Sequence, residues 1–410
     1  MKLYKREKYL SKLRPFYDDG QMIKVIVGVR RCGKSCIMQT IASELKEKGV
    51  NGENIIYLDL DDKEYLDVRT SKQLEKIIDE RSEKLKGRKY LFIDEVQNVE
   101  NFEPLLNAYR NTEEWSIFIT GSNAYLLSGE LITKLTGRYL EFEVFTLDFK
   151  EYLDMKELFS VPKEDNIDTE FANYLQLGGF PGAVCYEKLE QKRTYVKNIV
   201  GEIFAKDIKF RLKIKHVSVF NTLRDYLINN FGSTTSITNI VNIFNNQLKV
   251  PIKRETVNRY IQILIDAKIL YRCPRFDVKS KKSLQREEKY YIADSGFYFA
   301  LNTDNRINYG PELENVTYLY ACSHGYSASV GRIGKLECDF VLRNDSSDYS
   351  YVQVSRTIAD ERTENREYAS LEKIPDNYPK YLLTMDRLLQ KRNGIIHENI
   401  IDFILNGKTF

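Results

Sequence analysis

The sequence predicts an α/β fold that opens with a parallel sheet covered by helices on both faces. Three observations point there. An apolar, β-branched run at 23–27 and further short strands expected at 55–58, 90–93, 116–120 and 140–144 alternate with helical stretches, the pattern of parallel strands joined by helical crossovers. The first run passes straight into a glycine-rich loop and then a helical stretch, 36–48, closed by Gly49. The third run ends in two adjacent carboxylates, Asp94 and Glu95, which a doubly buried strand carries only where its end opens on a ligand.

The elements follow in order. Residues 2–14 alternate charged and apolar side chains at helical spacing, and Asp18-Asp19-Gly20 turns the chain into the first strand. After residue 150 the pattern changes. Residues 151–231 are mostly helical, broken by Gly178-Gly179-Phe180-Pro181-Gly182, a tight corner with no chemistry of its own. Residues 236–247 and 253–268 read as two helices joined by a short turn, the second with Val257, Ile261, Leu264 and Ile265 toward a core and Arg254 and Arg259 off that stripe. Strands are expected at 269–278 and 288–292, around a basic loop at 279–286. From about residue 308, helix and strands return as a third unit.

At 410 residues the chain is long enough for two or three domains. Apolar residues make up 42% and charged residues 30%, and no apolar run approaches the roughly 20 residues of a membrane-spanning helix. The first residues are charged rather than apolar, so a cytoplasmic location without a membrane partner is expected. Six scattered cysteines without a Cys-x-x-Cys pair and three histidines predict reduced thiols and no structural zinc. A net charge of +3 does not announce nucleic acid, though local basic clusters can.

Gly28-Val29-Arg30-Arg31-Cys32-Gly33-Lys34-Ser35 fits G-x-x-x-x-G-K-[ST] at every specified position, with Cys36 next in the helix. Glycines let backbone N–H groups curl around a β-phosphate, and the helix N-terminus adds its positive end. Lys34 is placed to reach the β- and γ-phosphates, and the Ser35 hydroxyl to ligate Mg²⁺. A chance glycine turn would lack the strand before it and the helix after it. Asp94 is expected to hold Mg²⁺ through water and Glu95 to polarise the attacking water. Ser122 and Asn123, after the strand ending at Thr120, are candidates to sense the γ-phosphate, weighed against an ordinary polar turn. Arg138, following Gly137, suits a finger reaching a neighbouring subunit's γ-phosphate, which would require a homo-oligomer; a solvated arginine after a closed helix is the plainer reading. Without an Asn-Lys-x-Asp motif, ATP is preferred over GTP.

These motifs resemble those of the prokaryotic AAA-type ATPases, an AAA_14-like P-loop ATPase followed by a C-terminal domain designated DUF4143. The resemblance rests on the P-loop, Phe92-Ile93-Asp94-Glu95, Thr120-Gly121-Ser122-Asn123, Thr136-Gly137-Arg138, Gly178-Gly179-Phe180-Pro181, Glu314 and Glu337-Cys338-Asp339-Phe340, in that order over nearly the whole chain. It implies an AAA+ ATPase domain at 1–150, a helical linking region at 151–235, a winged helix at 236–300 and a degenerate nuclease-like domain at 301–410.

The basic second helix and wing suit double-stranded DNA, and equally a protein partner. In the last unit Glu314, Asp339, Gln353 and Ser355 occupy the places of a PD-(D/E)xK nuclease site. Glutamine is a weak substitute for a charged metal ligand and serine supplies no cation, so these departures argue against nuclease catalysis. Three functions follow: an ATPase driving the winged helix and the nuclease-like part, an ATP-regulated metal-dependent nuclease, or a non-hydrolysing ATP-binding regulator. Intact Glu95 favours the first.

Overall fold

The computed structural model describes residues 2–121, 135, 137–209, 214, 216–302 and 306–410. Two compact units divide the chain, Met1–Phe145 with Asp266–Lys268, and Thr146–Ile265 with Ile269–Phe410.

The first unit is built on five strands, β1 (Ile23–Val27), β2 (Ile55–Asp59), β3 (Lys89–Asp94), β4 (Trp115–Thr120) and β5 (Tyr139–Glu143). β1 coincides with its expected strand, β2, β3 and β4 run a residue longer at one end or both, and β5 lies one residue earlier than expected. They lie in the order β2-β3-β4-β1-β5 and every pairing is parallel. Helices α1 (Glu7–Leu13), α2 (Lys34–Glu47), α3 (Ser71–Ser82) and α4 (Phe102–Asn111) accompany them. β1, β3 and β4 are buried along their length, apart from the partly buried Lys89, which is why they read as continuous apolar runs.

One residue breaks that rule. Lys24 in β1 is fully buried. It ends a cross-strand row of side chains, Tyr57 beside Phe92, Phe92 beside Phe118 and Phe118 beside Lys24, in which the first two ring pairs stack at 5.9 and 4.8 Å. Its ammonium lies 4.6 Å from the Phe118 ring centre and donates to the Asp19 and Met22 carbonyls and to Ser116 Oγ. Burial depresses its pKa to about 7.

The second unit begins with α5 (Phe149–Leu158), α6 (Ile167–Leu177), α7 (Leu189–Glu202) and α8 (Val217–Asn229). The expected helix pair is present as α9 (Ile237–Asn242), prolonged by a π-turn at Ile243–Gln247, and α10 (Arg254–Asp266). Val257, Ile261 and Leu264 are buried as expected, Ile265 at the edge of that stripe is only partly buried, and Arg254 and Arg259 are exposed. The following hairpin differs from the expected loop. β7 (Leu270–Asp277) and β8 (Lys282–Ile292) leave only Val278–Lys281 as a tip, so most of the basic stretch is strand. Charged side chains on the solvent face of a paired strand cost the ladder nothing, so a charge cluster alone is a poor sign of a loop.

That hairpin belongs to a larger sheet. β6 (Thr234–Thr235), β9 (Ser327–Ile333), β10 (Leu336–Arg343), β11 (Tyr349–Val354), β12 (Lys380–Thr384), β13 (Lys391–Arg392) and β14 (Ile395–Asn399) complete nine strands in the order β13-β14-β12-β11-β10-β9-β7-β8-β6. β7 runs parallel to β9, with Phe276 opposite Gly331. Helices α11 (Tyr309–Ser323), α12 (Glu361–Glu372) and α13 (Ile400–Leu405) belong to the same unit. Among the described residues no helix is long and apolar enough to cross a membrane.

The expected corner is tightly built. Gly178 has φ +73°, and a Cβ there would lie 1.6 Å from Asp294 Oδ1. The buried Asp294 carboxylate accepts the N–H groups of Gly179 (2.7 Å) and Gly296 (2.9 Å), and burial raises its pKa to about 7. Glycine is required here by space and by backbone conformation together.

Candidate nucleotide site

The P-loop lies at the C-terminal end of β1, where neighbours β4 and β5 lie on either side and the chain connections run to both halves of the sheet. Ligands of open parallel sheets bind in such crevices. Gly28 has φ +147°, and a Cβ on it would meet the Val144 carbonyl oxygen at 2.1 Å and Cys32 Sγ at 2.8 Å. Val144 itself donates to the Val27 carbonyl at 2.8 Å. Gly33 takes φ 105°, ψ 20° immediately before α2 starts at Lys34. Val29 and Cys32 are fully buried, Arg30, Ser35 and Cys36 partly so, and Arg31 is exposed with φ 63°.

Lys34 is buried, and its ammonium donates to the carbonyls of Gly28 (3.0 Å) and Val29 (3.3 Å). These contacts curl the lysine back over its own loop, and both carbonyls belong to the turn that would surround a phosphate. Arg30 lies 3.9 Å from Asp61.

Asp94 and Thr120 end the adjacent strands β3 and β4. Thr120 Oγ1 donates to Asp94 Oδ1 and accepts the Glu95 N–H at 3.2 Å. One hydroxyl therefore positions both carboxylate residues. Tyr57 donates to Asp94 Oδ2 at 3.3 Å, fixing the second oxygen. Glu95 adopts φ 55°, which turns it out of the strand, and Gln97 donates to its Oε2. Burial raises the Glu95 pKa, while the Lys34 charge, the Gln97 hydrogen bond and the Arg30 charge oppose the rise. The left-handed conformation of Glu95 is the turn by which the chain leaves β3.

Ser35 and Asp94 fit Mg²⁺. Both offer hard oxygen ligands, Ser35 in the first turn of α2 and the buried Asp94 at the C-terminal end of β3. Bound there, the ion would neutralise phosphate charge. Arg138 is exposed and immediately precedes β5; its carbonyl accepts the Ile23 N–H at 3.0 Å. It lies at the start of β1 and the P-loop at its end, so it does not join the cradle of its own chain. Ser122 and Asn123 lie outside the described residues. Sequence reasoning missed Thr120 as the positioning hydroxyl, although its place after a buried apolar run in step with Asp94 was a usable signal. Tyr57 and Gln97 gave none.

The carboxylates of the second unit form a different kind of cluster. Lys289 of β8 lies 3.0 Å from Glu314, 3.0 Å from Glu337 and 3.7 Å from Asp339. Arg275 reaches Glu337 at 2.8 Å, Tyr291 donates to Glu314 at 2.8 Å, and the Val354 N–H donates to Asp339 at 2.9 Å. Gln353 accepts the Asp339 N–H at 3.2 Å and donates to Glu367 at 2.8 Å. Ser355 Oγ donates to the Thr357 carbonyl at 3.3 Å. The cation that Ser355 cannot supply thus comes from β8, earlier in the chain than any of the acids. Burial raises the pKa values of Glu314 and Asp339; for Lys289 burial acts against the charge, but Glu314, Asp339 and Glu337 outweigh it. Among the described residues no group of three or more acidic, histidine or cysteine residues is spaced to hold a metal ion.

A five-stranded parallel sheet with this loop and these strand ends defines a P-loop nucleotide-binding protein of the AAA type. Residues 20–153 match the model of an AAA domain, AAA_14, and residues 168–307 a domain of unknown function, DUF8612. The second match corrects the expected DUF4143 label. An uncharacterized protein of Haemophilus influenzae is 33% identical over 401 residues, 98% of each chain. One from Methanocaldococcus jannaschii is 29% identical over 367 residues, 86% of this chain and 78% of its own. A Walker-type ATPase of Pyrococcus abyssi shares the fold at a TM-score of 0.51 and 16% identity, over 73% of this chain and 96% of its own. The chain belongs to the AAA-type P-loop ATPase family.

Proposed function

We propose that this protein binds ATP with Mg²⁺ and hydrolyses it, and that its nucleotide state drives the second unit as an effector. The observation that carries the reading is the Thr120 bridge, which presents Asp94 and Glu95 together at the end of β3, next to the P-loop strand system. A protein that only bound nucleotide would need the cradle and the metal carboxylate, but no carboxylate turned out of the strand at positive φ. In this reading Lys34 leaves its loop carbonyls for the phosphates, Ser35 and Asp94 hold the metal, and Glu95 orients the attacking water. Burial raises the Glu95 pKa, which strengthens its carboxylate as the group that accepts the proton of the attacking water. The helix pair and hairpin act as a winged helix toward double-stranded DNA or a protein partner, with Arg254 and Arg259 as the exposed basic side chains of α10. Lys281 at the hairpin tip has intramolecular partners, Tyr351 and Asp376 at 2.8 Å each, so DNA contact would rest more on the helix than on the tip. The nuclease reading finds less support, because its carboxylates surround an ammonium.

The test is steady-state phosphate release from Mg–ATP by the full chain, with and without double-stranded DNA. Turnover supports the ATPase reading, and no turnover under either condition overturns it. A rise on adding DNA assigns DNA as the partner; an unchanged rate removes DNA and leaves a protein partner.

A further inference from the structure

We infer that Arg6, on the N-terminal segment outside the matched AAA domain, is a positioning residue of the phosphate cradle. The inference rests on the nucleotide reading above and adds a residue that no P-loop pattern contains.

Arg6 immediately precedes α1, on a stretch that alternates charged and apolar side chains. It is nevertheless 4% exposed. A guanidinium is removed from water at considerable cost unless hydrogen bonds replace the lost solvation. Here its Nη1 donates to the carbonyl of Cys32 at 3.1 Å and to that of Phe145 at 2.7 Å. Its Cζ lies 4.6 Å from the Tyr9 ring centre, and the Tyr9 hydroxyl accepts the Phe145 N–H at 3.1 Å. The guanidinium is therefore fixed between a ring and two backbone oxygens, one in the centre of the P-loop and one just after β5.

The Cys32 carbonyl is the informative partner. In a trans peptide the C=O and the following N–H point in opposite directions. Gripping the Cys32 oxygen from outside thus turns the Gly33 N–H away from Arg6, toward the inner side of the loop. The charge also polarises that peptide, making its N–H a stronger donor to an anion. Lys34 serves a phosphate from within the cradle; Arg6 orients the cradle from behind. Contacts of this kind are made alike in the ground and transition states, so their loss raises KM more than it lowers kcat.

The experiment is titration of the full-length protein with ADP and with Mg–ATP, together with KM, kcat and thermal melting. Arg6→Gln should weaken both nucleotides about tenfold, the scale of a lost charge-assisted hydrogen bond, with kcat changed less than KM. Arg6→Lys keeps the charge without the planar fork and should recover part of the affinity. If Arg6→Gln folds poorly, Arg6→Lys decides, with about threefold weakening expected on the same scale. A folded Arg6→Gln or Arg6→Lys with wild-type affinity and KM overturns the inference, as does a lowered melting temperature without change in affinity. Failure of the wild type to bind either nucleotide would instead overturn the nucleotide reading itself.

Discussion

At the scale of single residues, Lys24 shows how a neutral-looking apolar run hides chemistry. The sequence placed it in a strand, but only the cross-strand row of Tyr57, Phe92 and Phe118 explains its burial. Its folded pKa of about 7 lies below the usual 10.5, so the folded state binds fewer protons than the unfolded between those values. Stability from this group is therefore fully present above the unfolded pKa and lost as pH falls through about 7. Denaturant unfolding should give a free energy that rises with pH over that window, and Lys24→Met should flatten the rise. An identical slope in both proteins would show that the ammonium is not desolvated. Arg6 is the opposite case: nothing at its position distinguishes it from its charged neighbours, because the partner that gives it meaning lies 26 residues away. Gly28, Gly33, Lys34, Ser35, Asp94 and Glu95 were readable because each is fixed by a local pattern next to an apolar strand.

At the scale of elements, β1, β3 and β4 were readable because burial on both faces makes each a nearly continuous apolar run, whereas the edge strands β2 and β5 are only partly buried and were placed by their alternation with helices. The hairpin β7–β8 was read less well. Its basic stretch looks like a loop, while pairing with β7 and, through it, with β9 makes most of it strand. That pairing also delivers Lys289 to Glu314, Glu337 and Asp339, which no spacing in the sequence could reveal. Lys289→Met should destabilise the protein by about 3–5 kcal/mol, since it leaves buried carboxylates without their cation. Adding Glu314→Gln should restore part of the loss by removing one of those charges. Denaturant midpoints measure both, and a Lys289→Met protein as stable as wild type would mean that the acids are protonated and need no cation.

At the scale of the whole molecule, the P-loop family was evident from the motif order, and the matched AAA domain agrees. The later part of the chain resembled DUF4143, whereas the match over 168–307 is to DUF8612; of the features that carried that resemblance, the glycine corner lies within the matched residues and Glu314 and Asp339 lie beyond them. Arg138 raises the question of assembly. It is exposed and lies beside the start of β1, at the end of the strands opposite its own P-loop, so any action on a γ-phosphate must be on a neighbouring copy. As a hypothesis, mixing Arg138→Ala with Glu95→Gln subunits should then restore part of the hydrolysis that each lacks. No recovery in mixtures shown to co-assemble would place Arg138 among solvated surface residues.

The most direct measurement is steady-state hydrolysis of Mg–ATP by wild type and Glu95→Gln, with ATP binding followed in parallel. Wild type should turn over, and Glu95→Gln should bind ATP while losing about 10²–10⁴-fold in kcat, the range of a removed general base. Equal turnover by the two folded proteins would contradict the role given to Glu95 and to the Thr120 bridge that presents it.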